Sequence, residues 1–194
     1  MASFAELRRA AASGISPPLV RLLRHTPLTP TAVTWLGFGL TILAAILVAG
    51  GSLIVGAVFV LVAGLCDMLD GALARLTGQV TRFGAILDST LDRLSEGALL
   101  VGALAFFAGQ GQSAVVVLTG VALVGSLAVS YVRARAEGLG LESRAGFFTR
   151  PERVIVLALG LLLNQLVIAI AIIAVLSLAT VAQRLYLAWR QLRG

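Results

Sequence analysis

The sequence predicts an all-α integral membrane protein with six transmembrane helices preceded by an N-terminal interfacial amphipathic helix. The 194 residues are 59% hydrophobic and have a mean hydropathy of +1.00, well above the level of soluble domains. Six long apolar stretches use almost the whole chain. No room is left for a second domain of typical size, so we expect a single membrane domain over residues 1–194.

The predicted elements follow one another with short connections. Residues 1–25 mix arginines with apolar side chains, which is typical of a segment lying in the membrane interface. The first span opens with a proline near its first turn, a position that suits a helix start. The predicted spans are Pro30–Ala49, Leu53–Arg75, Arg82–Phe107, Ala114–Arg135, Pro151–Leu163 and Leu166–Trp189.

All 15 basic residues are arginines, and their distribution predicts the topology. Fourteen of them precede the first span, flank the turn between spans two and three, surround the connection from span four to span five, or end the chain. The connections on the opposite side carry no charge. By the positive-inside rule the basic side is cytoplasmic, which predicts a multi-pass protein of the cell membrane. The sequence pI of about 11.2 therefore reflects topology, and we expect no nucleic-acid partner.

Four carboxylates lie within apolar sequence at Asp67, Asp70, Asp88 and Asp92. Helical spacing puts the first two on one face of span two and the last two on one face of span three. The turn over residues 76–81 is too short to recross a bilayer, so both pairs lie about 8–10 Å below one membrane surface, the cytoplasmic one. Their repulsion is most simply relieved by two divalent ions with oxygen ligands, Mg²⁺ or Mn²⁺.

Small and basic residues around these carboxylates suit a diphosphate. Gly71, Ala74 and Gly84 allow a phosphate to approach the backbone closely. Arg75 and Arg82 can pair with phosphate oxygens at the rim. Metal ions would polarise a phosphoryl group, and one carboxylate would take the proton of an attacking hydroxyl. The residues thus predict displacement at a diphosphate carried by a membrane lipid.

This spacing resembles the signature of the CDP-alcohol phosphatidyltransferase family. It reads Asp67-x₂-Asp70-Gly71-x₂-Ala74-Arg75-x₈-Gly84-x₃-Asp88-x₃-Asp92. The resemblance implies that Asp67, Asp70 and Asp88 bind the metal pair and that Asp92 contacts metal and serves as general base. It also implies a homodimer, and CDP-lipid contacts by Gly71, Ala74, Arg75, Gly84, Pro30 and Thr34.

Arginines at the cytoplasmic ends of spans four and five indicate what kind of acceptor substrate the protein binds. They lie in Ser130-Tyr131-Val132-Arg133-Ala134-Arg135-Ala136-Glu137 and Arg150-Pro151-Glu152-Arg153. Free inositol or serine would not need so many cations, whereas the phosphate of a phosphorylated polyol would. Both runs resemble those of the phosphatidylinositol-phosphate synthases within the family. The resemblance implies that Ser130, Arg133 and Arg153 hold the acceptor phosphate, with Arg184 as a further candidate.

The interpretation that follows is transfer of the phosphatidyl group from CDP-diacylglycerol to inositol phosphate, with release of CMP. Phosphatidylglycerophosphate synthesis from glycerol 3-phosphate is the alternative, because that acceptor is phosphorylated too. A small proton- or metal-coupled transporter is the alternative from another class, disfavoured because the carboxylates cluster near one face. A metal-binding protein without activity is a third. For individual arginines in these runs, the competing explanation is that they only set the membrane topology by the positive-inside rule and do not bind substrate.

Overall fold

The computed structural model describes residues 29–141 and 146–193. Over these ranges the chain forms six helices and no strand, which confirms the all-α class. The predicted interfacial helix, residues 1–25, lies outside the described residues. The helices are α1 (Pro30–Ala49), α2 (Leu53–Thr77), α3 (Arg82–Gly109), α4 (Ser113–Gly138), α5 (Arg150–Leu162) and α6 (Leu166–Arg193).

Four helices, α1, α2, α4 and α6, are long and apolar enough to cross a membrane. Large apolar side chains such as Ile46, Val117 and Val175 are exposed on three of them, as lipid-facing residues would be. Helix α3 has 28 residues but begins with its charged side chains, and α5 has only 13 residues. At 1.5 Å per residue α5 is about 20 Å long, short of the roughly 30 Å hydrocarbon core. Several apolar helices thus indicate a multi-pass membrane protein, and six crossings stay a prediction.

Threonine caps start three of the helices. The hydroxyls of Thr29 and Thr81 each accept a hydrogen bond from the backbone N–H three residues later, at 3.2 and 2.9 Å. Thr149 and Glu152 form a reciprocal capping box at the start of α5, with Pro151 in its first turn. Each cap satisfies a backbone donor that a helix start leaves without a partner, so these residues define where α1, α3 and α5 begin.

Helix α2 ends two residues beyond the predicted Arg75. Gly78 has a φ of +68°, and Gln79 N donates to Ala74 O at 3.0 Å. A left-handed residue after the last turn, with this backward bond, is a common helix stop that glycine adopts at no steric cost. The α2–α3 turn is therefore residues 78–81, shorter than predicted.

The chain divides into two compact units. In the first, the described residues are 29–40 and 61–92, so it holds the start of α1, the end of α2 and the start of α3. Its hydrophobic core cluster is formed by Val33 on α1 and Cys66, Ala72 and Leu73 on α2. This unit carries the four aspartates. The single domain over residues 1–194 stays a prediction.

The second unit contains Thr41–Val60 and the described residues from Arg93 onward. Helix α6 packs against α4 and α5 in this unit. A side chain on Gly160 of α5 would run into the Cβ of Ala169 on α6, so the two helices approach closely there. Ile170 and Ile173 of α6 are fully buried, with Leu161 of α5 beside them in the core. The four residues predicted to bind the acceptor all belong to this unit, namely Ser130, Arg133, Arg153 and Arg184.

Candidate active site

Asp70 is the most buried of the four aspartates, with an exposed fraction of 6%. Thr34 Oγ1 donates to its Oδ2 at 2.6 Å, and the backbone N–H of Gly71 donates to its Oδ1 at 2.5 Å. Thr34 Oγ1 also lies 3.1 Å from the carbonyl oxygen of Pro30. Both residues predicted at the CDP-lipid from α1, Pro30 and Thr34, therefore lie on the side of α1 that meets Asp70.

The other aspartates lie in the same unit. Asp67 is half-buried and approaches the backbone of α1 at Gly37. The charges of Asp67 and Asp88 both act on the carboxyl of Asp70. Asp92 is half-buried and follows Asp88 by one turn of α3. Helices α2 and α3 thus each contribute two aspartates to this unit, and their convergence into one site stays a prediction.

These carboxylates are chemically suited to a hard divalent cation. All the available donors are carboxylate oxygens, the ligands that Mg²⁺ and Mn²⁺ prefer, and their mutual repulsion would be relieved by such an ion. Among the residues that the structure describes, no three His, Cys, Asp or Glu side chains are already arranged around a metal position. The metal site formed by four aspartates stays a prediction.

Gly71 and Gly84 of the signature each lie beside a side chain that is close to them in the sequence. A Cβ on Gly71 would lie 3.5 Å from Arg75 Nη1, an ordinary contact, so the arginine lies along that side of α2. A Cβ on Gly84 would lie 2.9 Å from Thr81 Oγ1 and would disturb the cap of α3. Ala74 is half-buried and Arg75 is exposed. Their predicted contacts with the CDP-lipid stay predictions.

Arg153, predicted to bind the acceptor, is 1% exposed and forms a two-point ion pair with Glu96, which is 6% exposed. Arg153 Nε lies 2.5 Å from Glu96 Oε1, and Nη2 lies 2.7 Å from Oε2. Nη1 donates to Phe148 O at 3.4 Å. Arg133 also has a carboxylate partner, Glu137 at 2.8 Å, but that pair is exposed. A buried bidentate pair fixes the plane of a guanidinium, whereas an exposed pair one helical turn apart is weak.

The predicted acceptor arginines lie near one another in the second unit. Arg184 is buried and its Nη1 donates to Val129 O at 2.6 Å, beside the half-buried Ser130. The positive charges of Arg133 and Arg153 both act on Arg184. Three guanidinium groups in one neighbourhood favour an anion there. Their contact with an acceptor phosphate stays a prediction.

Two features of this region were not predicted from the sequence. Glu96 was not singled out, although a carboxylate one turn after Asp92 in an apolar helix was a signal that an arginine partner had to exist. Gly146 has a φ of +156°, and a Cβ on it would lie 2.7 Å from Arg184 Nη2. Any side chain there would strain the backbone and crowd the guanidinium.

The sequence profile of the CDP-alcohol phosphatidyltransferases matches residues 27–185. The chain belongs to this family. The match covers the signature and all four predicted acceptor residues, and it makes this protein an enzyme of the phosphatidyltransferase class. The family resemblance read from the eight-residue signature is therefore confirmed.

Relatives within the family make inositol phosphate lipids. The chain is 41% identical to the phosphatidylinositol phosphate synthase of Mycobacterium marinum, over 94% of this chain and 83% of that protein. It is 40% identical to the synthase of Mycobacterium tuberculosis, over 94% and 89% of the two chains. It is 42% identical to the archaetidylinositol phosphate synthase of Methanothermobacter thermautotrophicus, over 83% of each chain.

Solved structures of the M. tuberculosis synthase share the fold. The structure with CDP-DAG bound has a TM-score of 0.84 and 40% identity, covering 90% of this chain and 94% of that one. The structure in complex with manganese and citrate also has a TM-score of 0.84, covering 90% of this chain and 89% of that one. Manganese in this relative agrees with the predicted use of Mg²⁺ or Mn²⁺.

Proposed function

We propose that this protein transfers the phosphatidyl group from CDP-diacylglycerol to inositol phosphate, producing phosphatidylinositol phosphate and CMP. The observation that carries this proposal is the 41% identity to a phosphatidylinositol phosphate synthase along 94% of the chain. The solved structure of a similar synthase with CDP-DAG bound supports the donor.

The donor diphosphate would lie at the aspartates of the first unit. Asp67, Asp70, Asp88 and Asp92 would hold two divalent ions, whose chemistry when bound is to polarise the phosphoryl group and neutralise the leaving phosphate. Arg75 pairs with diphosphate oxygens, and the small residues beside it leave space for the CDP moiety, namely Gly71, Ala74 and Gly84. Pro30 and Thr34 approach the same lipid from α1. The buried Thr34–Asp70 hydrogen bond supports this arrangement because it fixes one carboxylate before the substrate arrives.

Asp92 would act as the general base. Its carboxylate takes the proton from a hydroxyl of the acceptor, and that oxygen forms a bond to the phosphorus on the lipid side of the diphosphate. The bond from that phosphorus to the bridging oxygen breaks, and CMP leaves with the bridging oxygen. Asp92 is half-buried on α3, which is compatible with access by a substrate hydroxyl.

The acceptor would be held by its phosphate through Ser130, Arg133, Arg153 and Arg184. The positive charges of Arg133 and Arg153 both act on Arg184, and a cluster of this kind is suited to a dianion. Two kinds of relative support inositol phosphate in particular. The mycobacterial and archaeal enzymes are named for different lipids, phosphatidyl and archaetidyl, yet both names specify inositol phosphate. What the names share is the acceptor.

The protein would function as a homodimer in the cell membrane. Six helices would cross the bilayer, and the carboxylate site would open on the cytoplasmic side. The uncharged turns at residues 50–52 and 110–112, opposite the arginine-rich connections, support this orientation. A CMP-releasing site on that side would have direct access to soluble acceptors.

An acceptor panel tests the proposal. Purified protein in detergent with Mg²⁺ or Mn²⁺ is given CDP-diacylglycerol together with inositol phosphate, glycerol 3-phosphate, free inositol or serine, and CMP release is measured. We expect release with inositol phosphate alone, because the arginine cluster suits a phosphorylated acceptor and the similar synthases are named for inositol phosphate. Release with glycerol 3-phosphate alone would retain the transferase class and overturn the acceptor. If folded, metal-loaded protein releases no CMP with any of the four acceptors, the proposed donor is contradicted as well.

A further inference from the structure

We infer that Gly37 on α1 is a positioning residue for the carboxylate of Asp67, and through it for the divalent ions of the proposed function, on which this inference rests. Gly37 is buried in the first unit, where α1 meets α2. It belongs neither to the eight-residue signature nor to the residues predicted to contact substrate. Its role follows from what lies against it.

The space beside Gly37 is occupied by α2. A Cβ built on Gly37 would lie 3.1 Å from Cys66 Cβ and 3.2 Å from Asp67 Oδ1, with Ala63 O at 3.5 Å. The first two distances are shorter than ordinary van der Waals contact between such atoms. The close approach of α2 to α1 at the Asp67 carboxylate therefore depends on the missing side chain.

The neighbouring turn of α1 meets the second aspartate of α2. Thr34 lies three residues before Gly37, and its hydroxyl donates to Asp70, which lies three residues after Asp67. Residues three apart share a helix face, so one face of α1 meets both carboxylates. Thr34 orients Asp70 through a hydrogen bond, whereas Gly37 sets how closely Asp67 approaches.

A methyl group at this position would move a predicted metal ligand. Both Cys66 Cβ and Asp67 Oδ1 would have to yield by a few tenths of an ångström. Metal–ligand distances in working sites hold to within about 0.2 Å. Residues that orient ligands without touching the metal change metal affinity by about 10- to 100-fold when they are altered. We therefore expect Gly37→Ala to weaken metal binding by at least about 10-fold.

The same helix supplies a matched control. A Cβ on Gly39 would have no atom within 4 Å outside its own surroundings on α1, and Gly39→Ala adds the same methyl group with the same gain in helix propensity. The full-length protein in detergent is titrated with Mn²⁺ in the absence of substrates, and free Mn²⁺ is followed by electron paramagnetic resonance. Gly39→Ala is expected to bind Mn²⁺ as the parent does, and Gly37→Ala more weakly.

Repeating the Gly37→Ala substitution in an Asp67→Ala protein separates positioning of the carboxylate from a general effect on packing. In an Asp67→Ala protein the displaced carboxylate is already gone, so adding Gly37→Ala should cause little further loss of Mn²⁺ affinity. An equal loss in both backgrounds would overturn the inference. If Gly37→Ala does not fold, Gly37→Ala with Cys66→Gly removes the facing Cβ and leaves the contact with Asp67. Unchanged Mn²⁺ affinity in that folded double variant would also overturn it.

The outcome is distinguishable from failure of the proposed function. Parent protein that binds Mn²⁺ and releases CMP, alongside a Gly37→Ala variant with equal Mn²⁺ affinity, would overturn this inference and leave the proposed function standing. Parent protein that binds no Mn²⁺ would overturn the inference as well, and CMP release by that same protein would then decide the proposed function separately.

Discussion

Asp92→Asn is expected to reduce turnover at least about 100-fold while leaving CDP-lipid binding nearly unchanged. The substitution keeps the shape of the side chain but removes the charge that accepts the proton of the acceptor hydroxyl. A positioned general base contributes about 10²- to 10⁴-fold to a rate. The measurement is CMP release at saturating inositol phosphate, compared with binding of CDP-diacylglycerol to the same protein preparation.

The control for this experiment is a carboxylate of the same protein that takes no part in the proposed reaction. Glu137 is exposed and pairs with Arg133, one turn away on α4. Glu137→Gln should therefore leave turnover at saturating acceptor close to that of the parent protein. Turnover retained by Asp92→Asn would remove Asp92 as the base.

Arg153→Ala is expected to raise the KM for inositol phosphate by about 10- to 100-fold and to leave the KM for CDP-diacylglycerol nearly unchanged. Three N–H groups of Arg153 contact Glu96 and Phe148, and in the proposed function the other two contact the acceptor phosphate. The same substitution leaves the buried carboxylate of Glu96 without its partner. Breaking a buried ion pair on one side costs about 3–5 kcal/mol of stability, so the melting temperature in detergent should fall clearly.

A double variant separates these two effects. Glu96→Met with Arg153→Met removes both charges and fills the space with apolar atoms, an exchange that is often neutral for stability. We expect the melting temperature to recover while the acceptor KM stays high. Recovery of both would make Arg153 a purely structural residue, and an equal rise of the donor and acceptor KM in Arg153→Ala would lead to the same conclusion.

Most helices of this protein were predictable because local sequence signals mark where they start and end. Thr29 with Pro30, Thr81, and Thr149 with Pro151 mark the starts of α1, α3 and α5. Their ends coincide with glycines or with short polar turns. Helices α2, α3, α4 and α6 extend two to four residues beyond their predicted ends. For α2 the difference arose because basic Arg75 was taken as its end, whereas Gly78 carries the conformation that stops a helix.

The site was predictable only in part because its contacts join helices that are distant in the sequence. The spacing of four aspartates on two consecutive helices could be read directly, since each pair lies within one turn. The pairing of Glu96 with Arg153 spans 57 residues, and that of Thr34 with Asp70 spans 36. The role of Gly37 depends on which face of α2 it meets. No local pattern contains that information; the packing of the helices determines it.

The most direct test of the central claim is a stoichiometry. Purified protein is given CDP-diacylglycerol and radiolabelled inositol phosphate with Mn²⁺, and released CMP is compared with label recovered in the lipid phase. A phosphatidyl transfer predicts equal amounts of the two, with both lost in Asp92→Asn. CMP release without label in lipid would reveal hydrolysis of the donor instead of transfer, and would contradict the proposed function.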